Sequence, residues 1–232
     1  MDKPLSGQIA LITGASRGLG AATALALATQ GAHVVLLART VGGLEETDDT
    51  VRAAGGQATL MPVDLIETEK LAALGPTLFQ RFGRLDILVA AAADPGQLCA
   101  LPHADPKVWD RVMAVNLTAN QRLVATLDPL LRAAPAGRAV FVTDRTALAA
   151  RAYWAAYGAA KAALEQMVEA WKIEASVRPS LRIALFDPGP MSTRLRAKAF
   201  PGEQPGTQPP PEQAAARLVA LIIPEAPGAQ SE

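Results

Sequence analysis

Between Ile9 and Phe186, short apolar runs rich in β-branched residues and leucine alternate with longer stretches of helical spacing. That rhythm is the strongest constraint on the fold, because strands separated by crossover helices can only be parallel. The strand candidates are Ile9 to Thr13, His33 to Ala38, Ala58 to Val63, Ile87 to Ala90, Ala139 to Thr143 and Arg182 to Phe186. The helix candidates are Ala21 to Gln30, Val41 to Ala54, Thr68 to Phe82, Lys107 to Leu131, Ala155 to Val177 and Glu212 to Ile223. Several strands read as continuous apolar runs, as expected when helices cover both faces of a sheet. The pattern predicts a doubly wound α/β fold of the Rossmann type with a mostly parallel sheet, in one domain over residues 1–232. Residues 190–211, punctuated by prolines, predict a loop that could close over a site, and residues 224–232 a frayed tail.

Composition narrows the function. Half of the 232 residues are apolar, and 22 basic residues balance 22 acidic ones. A neutral chain without like-charge runs argues against nucleic acid or an anionic membrane as partner. The stretch from Gly18 to Ala38 is uncharged and long enough to span a bilayer, but Thr23, Thr29, Gln30, Gly31 and His33 interrupt it. Cys99 is the only cysteine, and the residues from Met1 to Gln8 show no leader signature, so a reducing, cytoplasmic setting is expected. His33 and His103 have no spaced partners that would complete a metal site, and no metal is expected.

Directly after the first strand comes Thr13-Gly14-Ala15-Ser16-Arg17-Gly18-Leu19-Gly20, followed by an alanine-rich helix. A pyrophosphate needs backbone N–H groups and a helix N-terminus that it can approach closely, and Gly14, Gly18 and Gly20 leave that approach open. The same glycines would also suit a tight turn that only packs helix on strand. In its position the motif resembles the turn of the short-chain dehydrogenase/reductase family, and the resemblance covers about residues 6 to 223. It implies a nicotinamide cofactor held by Gly14, Ser16, Arg17, Gly18, Leu19 and Gly20, with Asp64 and Leu65 at the adenine and Ala90 near its ribose. Asp64 would equally serve as a helix N-cap. An acidic residue at the end of the second strand selects NAD, but this strand ends Leu37-Ala38-Arg39-Thr40. Arg39 and Arg17 could flank a 2′-phosphate, which favours NADP over NAD. A merely solvated Arg39 is the alternative.

Tyr157 and Lys161 stand four apart, on one face of a helix. A phenol titrates near ~10, and a nearby ammonium would favour its ionised form. The resemblance assigns Tyr157 as acid/base for a carbonyl or alcohol, and Lys161 as its activator and a ligand of the nicotinamide ribose. It likewise assigns Asn116 to a water linking the lysine to solvent, where a helix-distorting polar residue satisfied by backbone is the alternative, and Pro188 and Thr193 to the loop that fixes the nicotinamide. Tyr153, Trp109, Trp154 and Trp171 read as packing residues, and Arg194-Leu195-Arg196-Ala197-Lys198 as either an anion attractor or a solvated helix face.

Three features depart from the family. Asp144 occupies the position, thirteen before Tyr157, where a serine usually helps to polarise the substrate carbonyl. A carboxylate there opposes both phenolate and substrate oxyanion unless it is neutral and donates a hydrogen bond, or pairs with Arg145 or a cationic substrate. Ala90-Ala91-Ala92-Ala93 replaces the usual Asn-Asn-Ala-Gly after the fourth strand. The customary seventh strand has no counterpart, which predicts six strands and a homodimer rather than a tetramer. The function expected is NADP(H)-dependent hydride transfer to or from a small carbonyl or alcohol, the alternative being a catalytically impaired NADP(H)-binding sensor or partner subunit.

Overall fold

The computed structural model describes residues 3–145, 149–177 and 180–223. Six strands, β1 (Ile9–Thr13), β2 (His33–Ala38), β3 (Gln57–Pro62), β4 (Ile87–Ala90), β5 (Gly137–Val142) and β6 (Leu181–Phe186), form one sheet in the order β3-β2-β1-β4-β5-β6. Every pairing is parallel. The helices are α1 (Gly18–Thr29), α2 (Val41–Ala53), α3 (Thr68–Phe82), α4 (Pro106–Met113), α5 (Ala119–Ala133), α6 (Ala155–Ala175), α7 (Arg194–Ala199) and α8 (Pro211–Ile222). Successive strand residues feed opposite cores. Ala10 and Ile12 of β1 pack with α1, α2 and α8, whereas Leu11 packs with α3, α5 and α6. Strand order reverses between β1 and β4, so their carboxyl ends diverge and leave a crevice at that edge.

The differences from the sequence reading have local causes. Helix α1 begins at Gly18, three residues early, because glycines pass from turn to helix without a side chain in the way. The segment expected as one helix from Lys107 to Leu131 contains a π turn at Ala114–Thr118. There Asn116 Nδ2 donates to the Val112 carbonyl at 2.7 Å, in the place of a backbone N–H, and Asn120 Nδ2 donates to the Asn116 carbonyl at 2.8 Å. Strands β3 and β5 are shifted by one and two residues at their starts. The expected loop 190–211 is not structureless: it contains α7, whose N-cap Thr193 accepts from the Arg196 N–H at 3.2 Å. The expected frayed tail, 224–232, lies outside the described residues, and among those described there is no seventh strand.

Helices α3 and α5 cross closely at Gly75. Pro76 has no N–H, so the Ala72 carbonyl lacks its intrahelical donor, and Thr126 Oγ1 on α5 supplies one at 3.0 Å. The same hydroxyl accepts from the Gly75 N–H at 3.1 Å. A Cβ on Gly75 would fall 2.3 Å from the Thr126 carbonyl oxygen. Gly75→Ala gains about 1 kcal/mol of helix propensity but overpacks the crossing by about 1–3 kcal/mol or more. Urea denaturation is expected to show net destabilisation, and an equal or more stable variant would contradict this contact.

Candidate active site

The turn after β1 is shaped from several directions. Gly14 and Gly18 have φ of +68° and +54°, which side chains rarely adopt. A Cβ on Gly14 would lie 2.9 Å from Ala92 Cα, and one on Gly20 would lie 2.3 Å from the Gly14 carbonyl oxygen. Thr47 on α2, which sequence reasoning missed, donates to the Ala15 carbonyl at 2.9 Å and pins the turn to its neighbour. Arg17 is the N-cap of α1 and makes no side-chain cap, and no acidic residue lies in the first turn. The first N–H groups of α1 therefore remain available to an anion.

The turn opens onto a cleft of about 730 Å³, which takes in Gly14, Ser16, Arg17, Gly18, Leu19, Gly20, Arg39, Asp64, Leu65, Asp144, Tyr157, Lys161, Pro188 and Thr193. Thr193 Cγ2 stands 3.4 Å from where a Gly18 Cβ would be, so the loop after β6 lies over the turn. Arg39 follows β2 and lies 3.9 Å from Asp64 in an exposed ion pair. These features suit a phosphate-bearing dinucleotide: a helix N-terminus, a turn free of side chains and two guanidinium groups. Among the described residues no cluster of His, Cys, Asp and Glu could hold a metal ion, and no helix is long and apolar enough to cross a membrane.

Two expected residues sit elsewhere. Ala90 ends β4 in the core, and Ala91, Ala92 and Ala93 form the wall instead. Where an asparagine side chain would have tied neighbouring strands together, the Ala92 N–H donates to Thr13 Oγ1 at 3.2 Å. Asn116 is fully buried behind the cleft. Both its amide hydrogens are engaged, by the Asp94 carbonyl at 2.8 Å and the Val112 carbonyl at 2.7 Å, while its oxygen accepts from the Asp94 N–H at 3.2 Å. Its side chain anchors the loop after β4, which carries Asp94 into the cleft.

Tyr157 and Lys161 stand side by side on α6, 3% and 2% exposed. Lys161 Nζ donates to the Val142 carbonyl at the end of β5 at 2.8 Å and lies 5.7 Å from the Tyr157 ring centroid. Burial lowers the lysine pKa from 10.5 to about 8, against opposing pulls from Asp144 and Glu165. The phenol moves the other way from the sequence expectation. Burial, the Asp144 charge, a hydrogen bond to Asp144 and the Asp187 charge all push its pKa up, so Tyr157 is a neutral phenol that donates to a carboxylate. Thr143, on the neighbouring strand end, donates to Glu165 at 2.5 Å.

Other cleft residues were hidden by their sequence distance. Trp154, expected only to pack, lies on the cleft wall against Tyr157 and Phe200, with ring centroids 5.9 and 5.5 Å away. The Arg151 guanidinium lies over both the Trp154 and Phe200 rings, at 5.4 and 5.1 Å. Tyr153 does not pack: it is 61% exposed and has a φ of 73°, which turns the chain so that Trp154 points inward. In α7, Arg196 is bidentate to Glu203 at 2.8 and 2.7 Å, and Lys198 lies 3.9 Å from Asp94. Arg196 and Lys198 thus face internal carboxylates, while Arg194 stands exposed on the cleft wall. Asp94, held also by Arg111 at 2.9 Å, keeps a lowered pKa in spite of burial. Arg145 is exposed, and Thr146 lies outside the described residues.

Comparison with known proteins agrees with this architecture. A computed structural match to a protein from Escherichia coli CFT073, crystallised with NADPH, has a TM-score of 0.91 and 32% identity, and covers 97% of this chain and 94% of that one. A metagenomic short-chain oxidoreductase in complex with NADP superposes with a TM-score of 0.82 at 32% identity, over 95% and 93% of the two chains. The oxidoreductase YciK of Escherichia coli K12, itself uncharacterised, is 35% identical over 204 residues, which are 87% of this chain and 80% of YciK. The short chain dehydrogenase family model matches residues 8–204, and the chain belongs to that family.

Proposed function

We propose that the chain is an NADP(H)-dependent oxidoreductase, transferring hydride between nicotinamide and a carbonyl or alcohol, with Tyr157 exchanging the proton. The observation that carries this reading is the meeting of the glycine turn and the Tyr157–Lys161 pair in one cleft. Relatives crystallised with NADP and NADPH support the cofactor, as do Arg17 and Arg39 and the lack of an acid at the end of β2. When bound, the cofactor supplies the hydride. The protein's part is to orient and to move protons.

In this reading Gly14, Ser16, Arg17, Gly18, Leu19 and Gly20 hold the phosphates, Arg39 the 2′-phosphate, and Asp64, Leu65 and the backbone of Ala91 and Ala92, in place of Ala90, the adenosine. Pro188 and Thr193 hold the nicotinamide end. Lys161 binds the nicotinamide ribose, and Asn116 acts from behind, by fixing the chain through Asp94. Tyr157 stays protonated at ordinary pH, the form needed to donate in the reductive direction, but its raised pKa makes it a weaker acid than a free phenol. Asp144, in the place of the family serine, weighs against a carbonyl oxygen. Unit charges about 4 Å apart at an effective dielectric of about 20 interact by about 4 kcal/mol. That magnitude is why a second reading, an impaired NADP(H)-binding sensor or partner subunit, stays attached to this site. The proposal extends to one domain over 1–232 with 190–211 as its lid, supported by Met191, Thr193 and Phe200 along the cleft. It also includes a homodimer paired through α5 and α6, supported by the exposed Ile173 on α6. A cytoplasmic setting is supported by the free Cys99.

Three measurements test this reading. NADPH fluorescence should report binding, and Tyr157→Phe should lower reductive kcat by about 10²–10⁴-fold with little change in NADPH affinity. Unchanged kcat would remove Tyr157 from the chemistry, while cofactor binding without turnover, with activity restored by Asp144→Ser, would favour the sensor reading. Arg39→Asp should weaken NADPH at least about tenfold more than NADH, and equal weakening of both would place the 2′-phosphate elsewhere. The third concerns Lys161, whose folded pKa of about 8 lies below its ordinary 10.5. Between those values the unfolded chain binds more protons, so the lysine costs stability below pH 8 and the cost fades as pH rises. Urea unfolding should show Lys161→Met more stable than wild type at pH 7, with the advantage shrinking by pH 10.5. An advantage that grows with pH would contradict the buried-ammonium account.

A further inference from the structure

The polar groups around Tyr157 present acceptors to a substrate where carbonyl reduction needs donors. Tyr157 and Asp144 stand on the same cleft wall, and after burial the Asp144 carboxylate is the main influence that holds the phenol neutral. The Thr143 hydroxyl, also on the cleft wall, donates to Glu165 at 2.5 Å. Lys161 donates to the Val142 carbonyl, and Arg196 is bidentate to Glu203. Asp144 and Asp187 stand on the cleft wall, Asp187 accepting from the Gly189 N–H at 2.9 Å, whereas Asp94 on the same wall is held by Arg111 and Lys198. An ionised carboxylate only accepts hydrogen bonds, whereas the serine hydroxyl usual at position 144 could also donate one. A substrate oxygen acquiring negative charge beside Asp144 would compete with it for the one phenolic hydrogen and be repelled by its charge. A protonated nitrogen has the opposite requirements: it donates, and it carries positive charge. Trp154, Phe200 and Ala199 supply an apolar wall beside this spot for the carbon frame of such a molecule.

We propose that the bond reduced in this cleft is a carbon–nitrogen double bond, an imine that reacts as its iminium, with the N–H directed to the Asp144 carboxylate and Tyr157 Oη. The inference rests on the hydride-transfer reading above. The substrate nitrogen takes its proton from solvent and enters the cleft as the iminium, while Tyr157 keeps its own proton. The iminium carbon gains a hydride from the nicotinamide, forming one C–H bond, and the C=N π pair becomes the amine lone pair. The substrate is reduced by two electrons and the nicotinamide cofactor is oxidised by two. Asp144 balances the iminium charge until hydride arrives and is unchanged at the end.

The test pairs 3,4-dihydroisoquinoline with the ketone 1-tetralone, using NADPH and the full chain. Wild type should reduce the imine with kcat/KM at least a hundredfold above the ketone, and Asp144→Ser should lower the imine value and raise that of the ketone. A second readout needs no turnover. By calorimetry on the cofactor-free protein, tetrahydroisoquinolinium should bind at least tenfold more tightly than neutral 1-tetralol, and Asp144→Asn should abolish that advantage. A ketone reduced as well as the imine, NADPH bound with neither substrate reduced, or a cation advantage that survives Asp144→Asn would overturn the inference. Failure of NADPH to bind would instead remove the hydride-transfer reading and this inference with it, whereas ketone reduction alone would remove only the latter.

Discussion

The hydrogen bond from Tyr157 to Asp144 sets the chemistry of the whole cleft. A phenol beside an ammonium would be drawn toward ionisation, but a phenol that donates to a carboxylate in a buried setting is held neutral. Lys161 does not reverse this balance. Its own burial weakens its charge, and its ammonium is engaged by the Val142 carbonyl. Tyr157 therefore holds its proton more tightly than a free phenol, and the Asp144 charge bears on which substrate charge can lie beside it.

The fold makes this arrangement possible through a strand-order reversal and two helix devices. Reversal of strand order between β1 and β4 separates their carboxyl ends, so the glycine turn after β1 and the loop after β4 face each other across a crevice. The π turn at Ala114–Thr118 then frees Asn116 to clamp the backbone of Asp94. On the far wall, α6 begins at Trp154 after the left-handed Tyr153, and one turn later presents Tyr157 to the cleft. Each device sits at a helix end or a helix irregularity, where side chains replace backbone hydrogen bonds.

The legible part of the chain was the part governed by periodicity. Apolar runs locate all six strands, three of them to the residue, because parallel strands buried on both faces leave little freedom in composition. The glycine turn and the Tyr157–Lys161 spacing are local patterns, and they lie in one cleft. What sequence could not show depends on contacts between distant segments. The opposition of Asp144 to a Tyr157 phenolate was legible from their spacing of thirteen, but the burial that contributes most to raising the phenol pKa comes only with the fold. Trp154 with Phe200, and Asp94 with Lys198, approach across still greater separations. The alanines after β4 read as a loss of strand-tying amides, yet Thr13 takes over part of that role from the next strand. Helix α7 was legible only as one of two readings of Arg194 to Lys198, because a six-residue helix between prolines carries almost no periodic signal.

The chain has two tyrosines, so Tyr153→Phe leaves Tyr157 as its only source of tyrosinate absorbance. An alkaline ultraviolet titration of that variant, with and without the additional change Asp144→Ser, reads the central interaction directly. The phenol should remain protonated at pH 10, where an ordinary tyrosine is half ionised, and its titration should move to lower pH once the carboxylate is gone. Ionisation at or below pH 10 with Asp144 present, or no downward movement on its removal, would contradict the account.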